Sequence, residues 1–155
     1  MRTFTSSRLV MILAAATVLT LGAASTGLAT TATGSQNKDF TVSVSAASQG
    51  TPDPDVATVG DTVRVVLSVT NNKSWTSGLK SDDVQVRVAL EPPLGEPYTL
   101  SATLSMFPGQ KLQIPFEFKV TENFPKGTYA LKLEAIEVRD PAAPVSSATA
   151  TLSIV

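Results

Sequence analysis

The chain contains no histidine and no cysteine in its 155 residues. The lack of histidine removes the commonest general base at neutral pH, and the lack of cysteine removes the thiol nucleophile and a usual zinc ligand. Ser-His-Asp and Cys-His catalytic centres are therefore excluded. Disulfide bonds are excluded as well, so a folded domain of this chain depends on its hydrophobic core for stability.

Carboxylates are the remaining candidates for catalysis. A glycosidase needs two carboxyl groups about 5 to 10 Å apart across a cleft. Glu117, Glu134 and Glu137 instead fall at strand positions that we predict to face solvent, where they keep the protein soluble. The sequence also has no pattern typical of a pocket. We predict that the protein is not an enzyme and has no catalytic residues, no cofactor and no bound metal.

A basic stripe is also missing. The chain has 12 basic and 13 acidic residues, and the basic residues are scattered along its length. Arg2 and Arg8 lie near the N-terminus, and their removal with that segment leaves 10 basic and 13 acidic residues, a net charge of −3. Because nucleic-acid binding requires clustered positive charge, we predict that nucleic acid is not a partner.

The first 32 residues have the composition of a secretory signal peptide. They contain no acid, and an apolar run from Leu9 to Leu21 separates the basic start from a stretch of small residues. This order predicts a signal peptide over 1–32, with cleavage between 24 and 36. The apolar run is shorter than the about 20 residues of a membrane helix, so no membrane span is expected after cleavage; an uncleaved anchor is the alternative. We predict a secreted or periplasmic protein.

Past a polar leader, 33–38, residues 39–155 are predicted to form one domain. This part of the chain consists of short extended runs separated by Gly, Pro, Asn and Asp, as in an all-β sandwich. The predicted fold class is therefore all-β: a seven-stranded antiparallel immunoglobulin-like β-sandwich after the N-terminal signal peptide. The seven predicted strands are 40–46, 62–70, 84–90, 98–104, 112–121, 128–138 and 147–154.

The stretch GDTVRVVLSVTNN, residues 60–72, has the clearest alternation of apolar and polar side chains. Because successive side chains of a strand point to opposite faces, this pattern predicts one buried and one solvated face. The predicted inward residues are Val63, Val65, Leu67 and Val69. Similar one-sided alternation in the other runs predicts two sheets packed through their apolar faces. Pro115 lies at an outward position, which predicts an edge strand or a bulge there.

Several short motifs make the chain resemble bacterial immunoglobulin-like modules, particularly cell-adhesion-related domains of the CARDB type or a related fibronectin-like module. The matching positions are Gly60-Asp61 before the second strand, Asn71-Asn72 after it, Pro108-Gly109 before the fifth, and Gly127-Thr128-Tyr129-Ala130-Leu131 in the sixth. The resemblance covers nearly all of the predicted mature chain and implies a β-sandwich used for binding or spacing. Tyr129 is placed like a tyrosine corner, in which the hydroxyl bonds back to the preceding turn.

One end of the predicted sandwich gathers the loops 71–83, 106–110 and 139–145, and we call it the aromatic end. Its candidate partner-contact residues are Trp75, Leu79, Phe107 and Asp140. Trp75 either folds down to plug the sandwich, the interpretation that its large apolar area favours, or is exposed as a contact residue.

The opposite end collects acids, and we call it the acidic end. These acids stand mostly beside Pro or Gly, where Asp makes turns, and turn formation is favoured over a calcium site. They are Asp53, Asp55, Asp61, Glu91, Glu96 and Glu122.

These observations predict an exported, non-catalytic binding or structural module of the bacterial cell envelope or extracellular space, related to adhesion. The expected partner is a protein or polysaccharide of the envelope. The alternative is an accessory or inhibitor domain that contacts an enzyme or polysaccharide through the aromatic end. The sequence leaves the specific ligand and the oligomeric state open.

Overall fold

The computed structural model describes residues 32–75 and 80–155. The predicted signal peptide, apart from Ala32, lies outside the described residues, and so does Leu79. The described residues contain no helix, and therefore none long enough to cross a membrane. They form nine strands: β1 (Ala32–Thr33), β2 (Phe40–Ser48), β3 (Val56–Ala57), β4 (Thr62–Asn71), β5 (Asp82–Glu91), β6 (Tyr98–Met106), β7 (Lys111–Lys119), β8 (Gly127–Glu137) and β9 (Ser146–Ile154).

The strands form two sheets. The larger has the order β1-β9-β8-β5-β6, with β3 also pairing β9, and the smaller has the order β2-β4-β7. All pairs are antiparallel except β3 with β9. This arrangement confirms the predicted all-β, immunoglobulin-like sandwich. The seven long strands correspond to the seven predicted ones, whereas the two-residue strands β1 and β3 were not predicted.

The core lies between the two sheets and uses one side of each long strand except β6, where only Leu104 and Met106 are covered. In β4 the predicted inward residues Val63, Val65, Leu67 and Val69 are all buried, so the predicted orientation is confirmed. In β8 every second residue from Tyr129 to Ala135 is buried in the same way. Each sheet therefore has one dry face, and the two dry faces pack together, which is the arrangement that a period of two requires.

The two sheets pack closely along one side of the sandwich and less closely along the opposite side. The sheets approach each other most closely where β2 lies against β8 and β9. The strands β6 and β7 each end their sheet on the opposite side. There the inward apolar side chains of β7 are only half-buried and pack at the margin of the core: Leu112, Ile114, Phe116 and Phe118. Pro115 thus lies in an edge strand, as predicted, and the continuous register with β4 contains no bulge.

The start of β8 is held by the predicted tyrosine corner. The Tyr129 hydroxyl donates a hydrogen bond to the carbonyl oxygen of Pro125 at 2.8 Å, which confirms the prediction. Burial, with a smaller contribution from Tyr98, raises the pKa of this hydroxyl above its ordinary value. Gly127 has a φ of 136°, and an added Cβ would lie 2.7 Å from Pro93. Glycine is therefore required at the first position of the Gly-x-Tyr motif.

Candidate functional site

The aromatic end carries an exposed pair of stacked rings. The ring centroids of Trp75 and Phe107 are 6.2 Å apart with an interplanar angle of 13°. Trp75 is 57% exposed and Phe107 is 46% exposed. The favoured interpretation of Trp75 as a plug is therefore wrong, because its ring lies on Phe107 at the surface. Met106, the neighbour of Phe107, is fully buried at this end instead.

Phe107 is presented by a tight turn between β6 and β7. Its backbone N–H donates to Gln110 Oε1 at 2.9 Å, and its carbonyl accepts from the Gln110 N–H at 3.0 Å. Gly109 follows with a φ of 75°, a conformation that favours glycine. The Pro108-Gly109 motif therefore builds a compact turn that holds the Phe107 ring outward, under Trp75.

Asn71 connects this turn to the loop that carries Trp75. It is fully buried at the end of β4. Its side-chain amide donates to the Met106 carbonyl at 3.1 Å, and its side-chain oxygen accepts from the Lys73 N–H at 3.0 Å. Its main-chain N–H and carbonyl bond to Gln110 and Gly109 at 2.9 and 2.8 Å. One buried amide side chain and its backbone thus position both halves of the aromatic pair.

A group of charged side chains forms ion pairs at the base of the loop that carries Trp75. Lys73 forms ion pairs with Glu137 and, at 3.5 Å, with Asp82, and Arg139 lies 3.6 Å from Asp82. The Lys73 ammonium is also 5.4 Å from the centre of the Phe40 ring, within cation–π range. Burial by itself would lower the pKa of Lys73. The hydrogen bond with Glu137 and the charges of Asp82 and Glu137 outweigh that effect and raise the pKa above its ordinary value.

Glu137 is a site residue that we predicted incorrectly. We expected it to face solvent, but it is buried and bonded to Lys73. Its position has the same parity as Tyr129 and Ala135, which face the core, and this parity was the signal that should have identified it. Glu134, of the opposite parity, is on the outer face beside Arg87 at 3.4 Å, and Glu117 is exposed, as predicted.

Asp140 is separated from the aromatic pair. It lines an open depression of about 480 Å³ together with Glu137 and residues of the leader and of the loop before β9. Neither Trp75 nor Phe107 belongs to that lining. Of the four predicted contact residues, the structure thus brings Trp75 and Phe107 together, places Asp140 in a neighbouring depression, and does not describe Leu79.

Two acids of the acidic end, Asp53 and Asp61, make turns, whereas Glu91 lies at the end of β5 and pairs with Lys132 at 2.7 Å. Asp61 accepts hydrogen bonds from the N–H and the hydroxyl of Thr58 at 2.7 and 2.9 Å, and these bonds hold the pKa of Asp61 below its ordinary value. Asp53 accepts from the Asp55 N–H at 3.0 Å. Within 32–75 and 80–155, no group of three or more acidic side chains is placed to hold a metal ion.

Among comparisons with known proteins, the one with solved structures found similar chains. No protein-family model matches the chain, and no curated protein matches it. Among solved structures, it is similar to the CARDB domain of a Pyrococcus furiosus protein in complex with di-metal ions, at 21% identity and a TM-score of 0.49, covering 76% of this chain and 94% of that one. The β-sandwich that the resemblance to CARDB-type modules implies is the fold that the two sheets of this chain form.

Two further similar structures come from larger proteins. An alkylpurine DNA glycosylase from Pseudomonas fluorescens, bound to DNA with an abasic site analog, has 10% identity and a TM-score of 0.52, covering 75% of this chain and 30% of that one. The sporulation control protein of Bacillus subtilis has 14% identity and a TM-score of 0.42, covering 75% of this chain and 49% of that one. The chain thus spans less than half of either protein, and the 10% identity with the glycosylase shows a common fold alone.

Proposed function

We propose that this protein is an exported, non-catalytic binding module of the bacterial envelope or extracellular space that contacts its partner through the aromatic end. The observation that carries the proposal is the exposed, stacked pair of Trp75 and Phe107 on a hydrogen-bonded base. Exposed aromatic rings are the side chains that most often anchor interfaces, because they cover a large area and lose little entropy when they bind.

The hydrogen bonds next to the pair support a binding role. Asn71 bonds to both the Trp75 loop and the Phe107 turn, and the Lys73 ion pairs lie beneath them. A surface that is already ordered has a smaller ordering cost on association. The exposed part of the indole, stacked on Phe107, offers an apolar surface that suits stacking against the face of a sugar or packing into an apolar groove of an envelope protein.

Removal of the indole tests this proposal. Trp75→Ala is expected to lower retention of the protein on its own cell-envelope fraction by about tenfold or more, because hot-spot residues contribute about 2 kcal/mol or more to binding. Its melting temperature should change little, since the ring is more than half exposed. Pulldown on the envelope fraction and thermal unfolding measure the two quantities.

Leu94→Ala is the matched control, because it removes an exposed apolar side chain from the loop at the opposite end. It should leave retention unchanged. Equal retention of the Trp75 variant and the unmodified protein would exclude the aromatic pair as the contact surface. Specific capture of a soluble enzyme, in place of the envelope, would favour the accessory or inhibitor function at the same surface.

Export is tested separately. The composition of residues 1–32 leads us to expect a mature N-terminus between Ala24 and Gln36 and a processed protein that is soluble without detergent. Intact-mass measurement on protein recovered from outside the cytoplasm determines this N-terminus. Retention of Met1 would contradict cleavage and favour the uncleaved anchor.

A further inference from the structure

Two of the four sheet edges are covered by other parts of the chain. The strands β1 and β3 pair with β9 and cover its outer edge. The free edge of β2 is covered by side chains and a loop: Gln36 bonds to both the N–H and the carbonyl of Val42, and the Ser48 N–H donates to the carbonyl of Pro54 at 2.8 Å. Neither edge therefore offers a continuous row of free backbone groups.

The edge of β7 is protected by its composition. Pro115 in its middle has no N–H to offer an incoming strand, and charged residues stand at 111, 117 and 119. Proline and charge are the means by which natural proteins prevent unwanted strand pairing at a sheet edge.

The edge of β6 has none of these protections. Its nine residues, YTLSATLSM, include no charge and no proline, and its register with β5 is continuous, without a bulge. It ends the larger sheet, and all of its residues except Leu104 and Met106 are exposed. Tyr98 is 72% exposed and Leu100 is 52% exposed. Within the described part of the chain, this is the one long edge left open for strand pairing.

We propose that a second copy of this chain pairs with β6 in an antiparallel, two-fold symmetric manner. With the axis at Ala102, position 98 faces 106, 100 faces 104, and 101 faces 103 of the other copy. Every facing pair then joins residues of the same kind, apolar with apolar on one face and hydroxyl with hydroxyl on the other. Because the strand has no charge, no like charges oppose each other across the axis.

The size of this edge predicts a weak dimer. Nine residues at about 3.3 Å each give an edge about 30 Å long. Pairing along it covers Leu100 and part of Tyr98, but buries less than the about 1,200 Å² of a stable complex. We therefore expect a weak dimer, which forms where the protein is concentrated. This association uses the side of the sandwich and leaves the aromatic end free.

Sedimentation velocity on the processed protein, from about 10 µM to about 1 mM, tests the proposal. The expected result is a reversible shift from monomer to dimer over this range. Ser101→Lys combined with Thr103→Lys should weaken the dimer by at least about tenfold, since the added charges face one another across the axis. The control variant, Thr128→Lys combined with Thr151→Lys, adds two charges to exposed positions on the outer face of β8 and β9. It should leave dimerisation unchanged.

A charge-swap experiment distinguishes pairing from a folding defect. Ser101→Glu combined with Thr103→Glu should also be monomeric alone, and mixing it with the double-lysine variant should restore a dimer of one copy of each. A protein that stays monomeric at about 1 mM overturns the proposal. Unchanged dimerisation of both charged variants overturns it as well, because the contact then lies elsewhere.

Discussion

Leu67→Ala is expected to lower the free energy of unfolding by about 2 to 5 kcal/mol. Leu67 is 5% exposed and lies in the middle strand of the smaller sheet. Its register places it between Val44 of β2 and Ile114 of β7, facing the other sheet. Truncation there removes buried methyl groups and leaves a cavity that flanking strands on both sides prevent from collapsing. Urea denaturation followed by circular dichroism measures the change.

Arg64→Ala is the matched control in the same strand. Arg64 is exposed on the outer face, opposite Glu117 in the register, and surface substitutions usually change stability by no more than about 0.5 kcal/mol. A cost for Arg64→Ala equal to that of Leu67→Ala would mean that the burial pattern of β4 is wrong by one residue.

Asn71→Ala is expected to lower the free energy of unfolding by about 2 to 4 kcal/mol, because a polar group left without its partner in a buried site costs about 1 to 3 kcal/mol. The substitution removes the partner of the Met106 carbonyl and of the Lys73 N–H, at 3.1 and 3.0 Å. It also loosens the loop that carries Trp75. Since Trp75 is the single tryptophan, its fluorescence reports that second effect directly.

Asn72→Ala is the control for this prediction, because it applies the same change to the next residue. Asn72 is exposed, and its side chain makes only long bonds, at 3.3 Å, to Lys38 and Thr41. We expect a cost below about 1 kcal/mol and an unchanged emission spectrum. A larger loss of stability for Asn72→Ala than for Asn71→Ala would contradict the central role of the buried amide.

The strands and their inward faces were predictable because the signal is local. A period of two in the apolar residues defines both the element and its orientation, and β4 follows it from Val63 to Val69 and β8 from Tyr129 to Ala135. Each strand then ends inward on a buried polar residue, Asn71 or Glu137. The tyrosine corner was predictable for a similar reason, since Tyr129 and Pro125 are four residues apart. Trp75 and Phe107 were predicted to share one end of the sandwich, because loops that alternate along the chain meet at the same end.

Other features depend on residues that are distant in sequence. The burial of Glu137 depends on Lys73, 64 positions earlier, whose ammonium compensates the buried carboxylate. The exposure of Trp75 depends on Phe107, because the turn after β6 supplies the ring on which the indole lies. The short strands β1 and β3 exist because β9 provides an edge for them, and two residues are too few to produce a pattern of their own.

The sequence by itself determined the all-β class, the seven long strands and the side from which the apolar residues of β4 and β8 face the core, because these follow from steric alternation within a few residues. The tertiary structure alone decided which strands end the sheets, and hence that β7 carries its own protection while β6 lies open. Edge position depends on which strands are neighbours across the whole fold, and no short stretch contains that information. The same holds for the aromatic pair, since its geometry depends on a buried amide that joins two loops 35 residues apart.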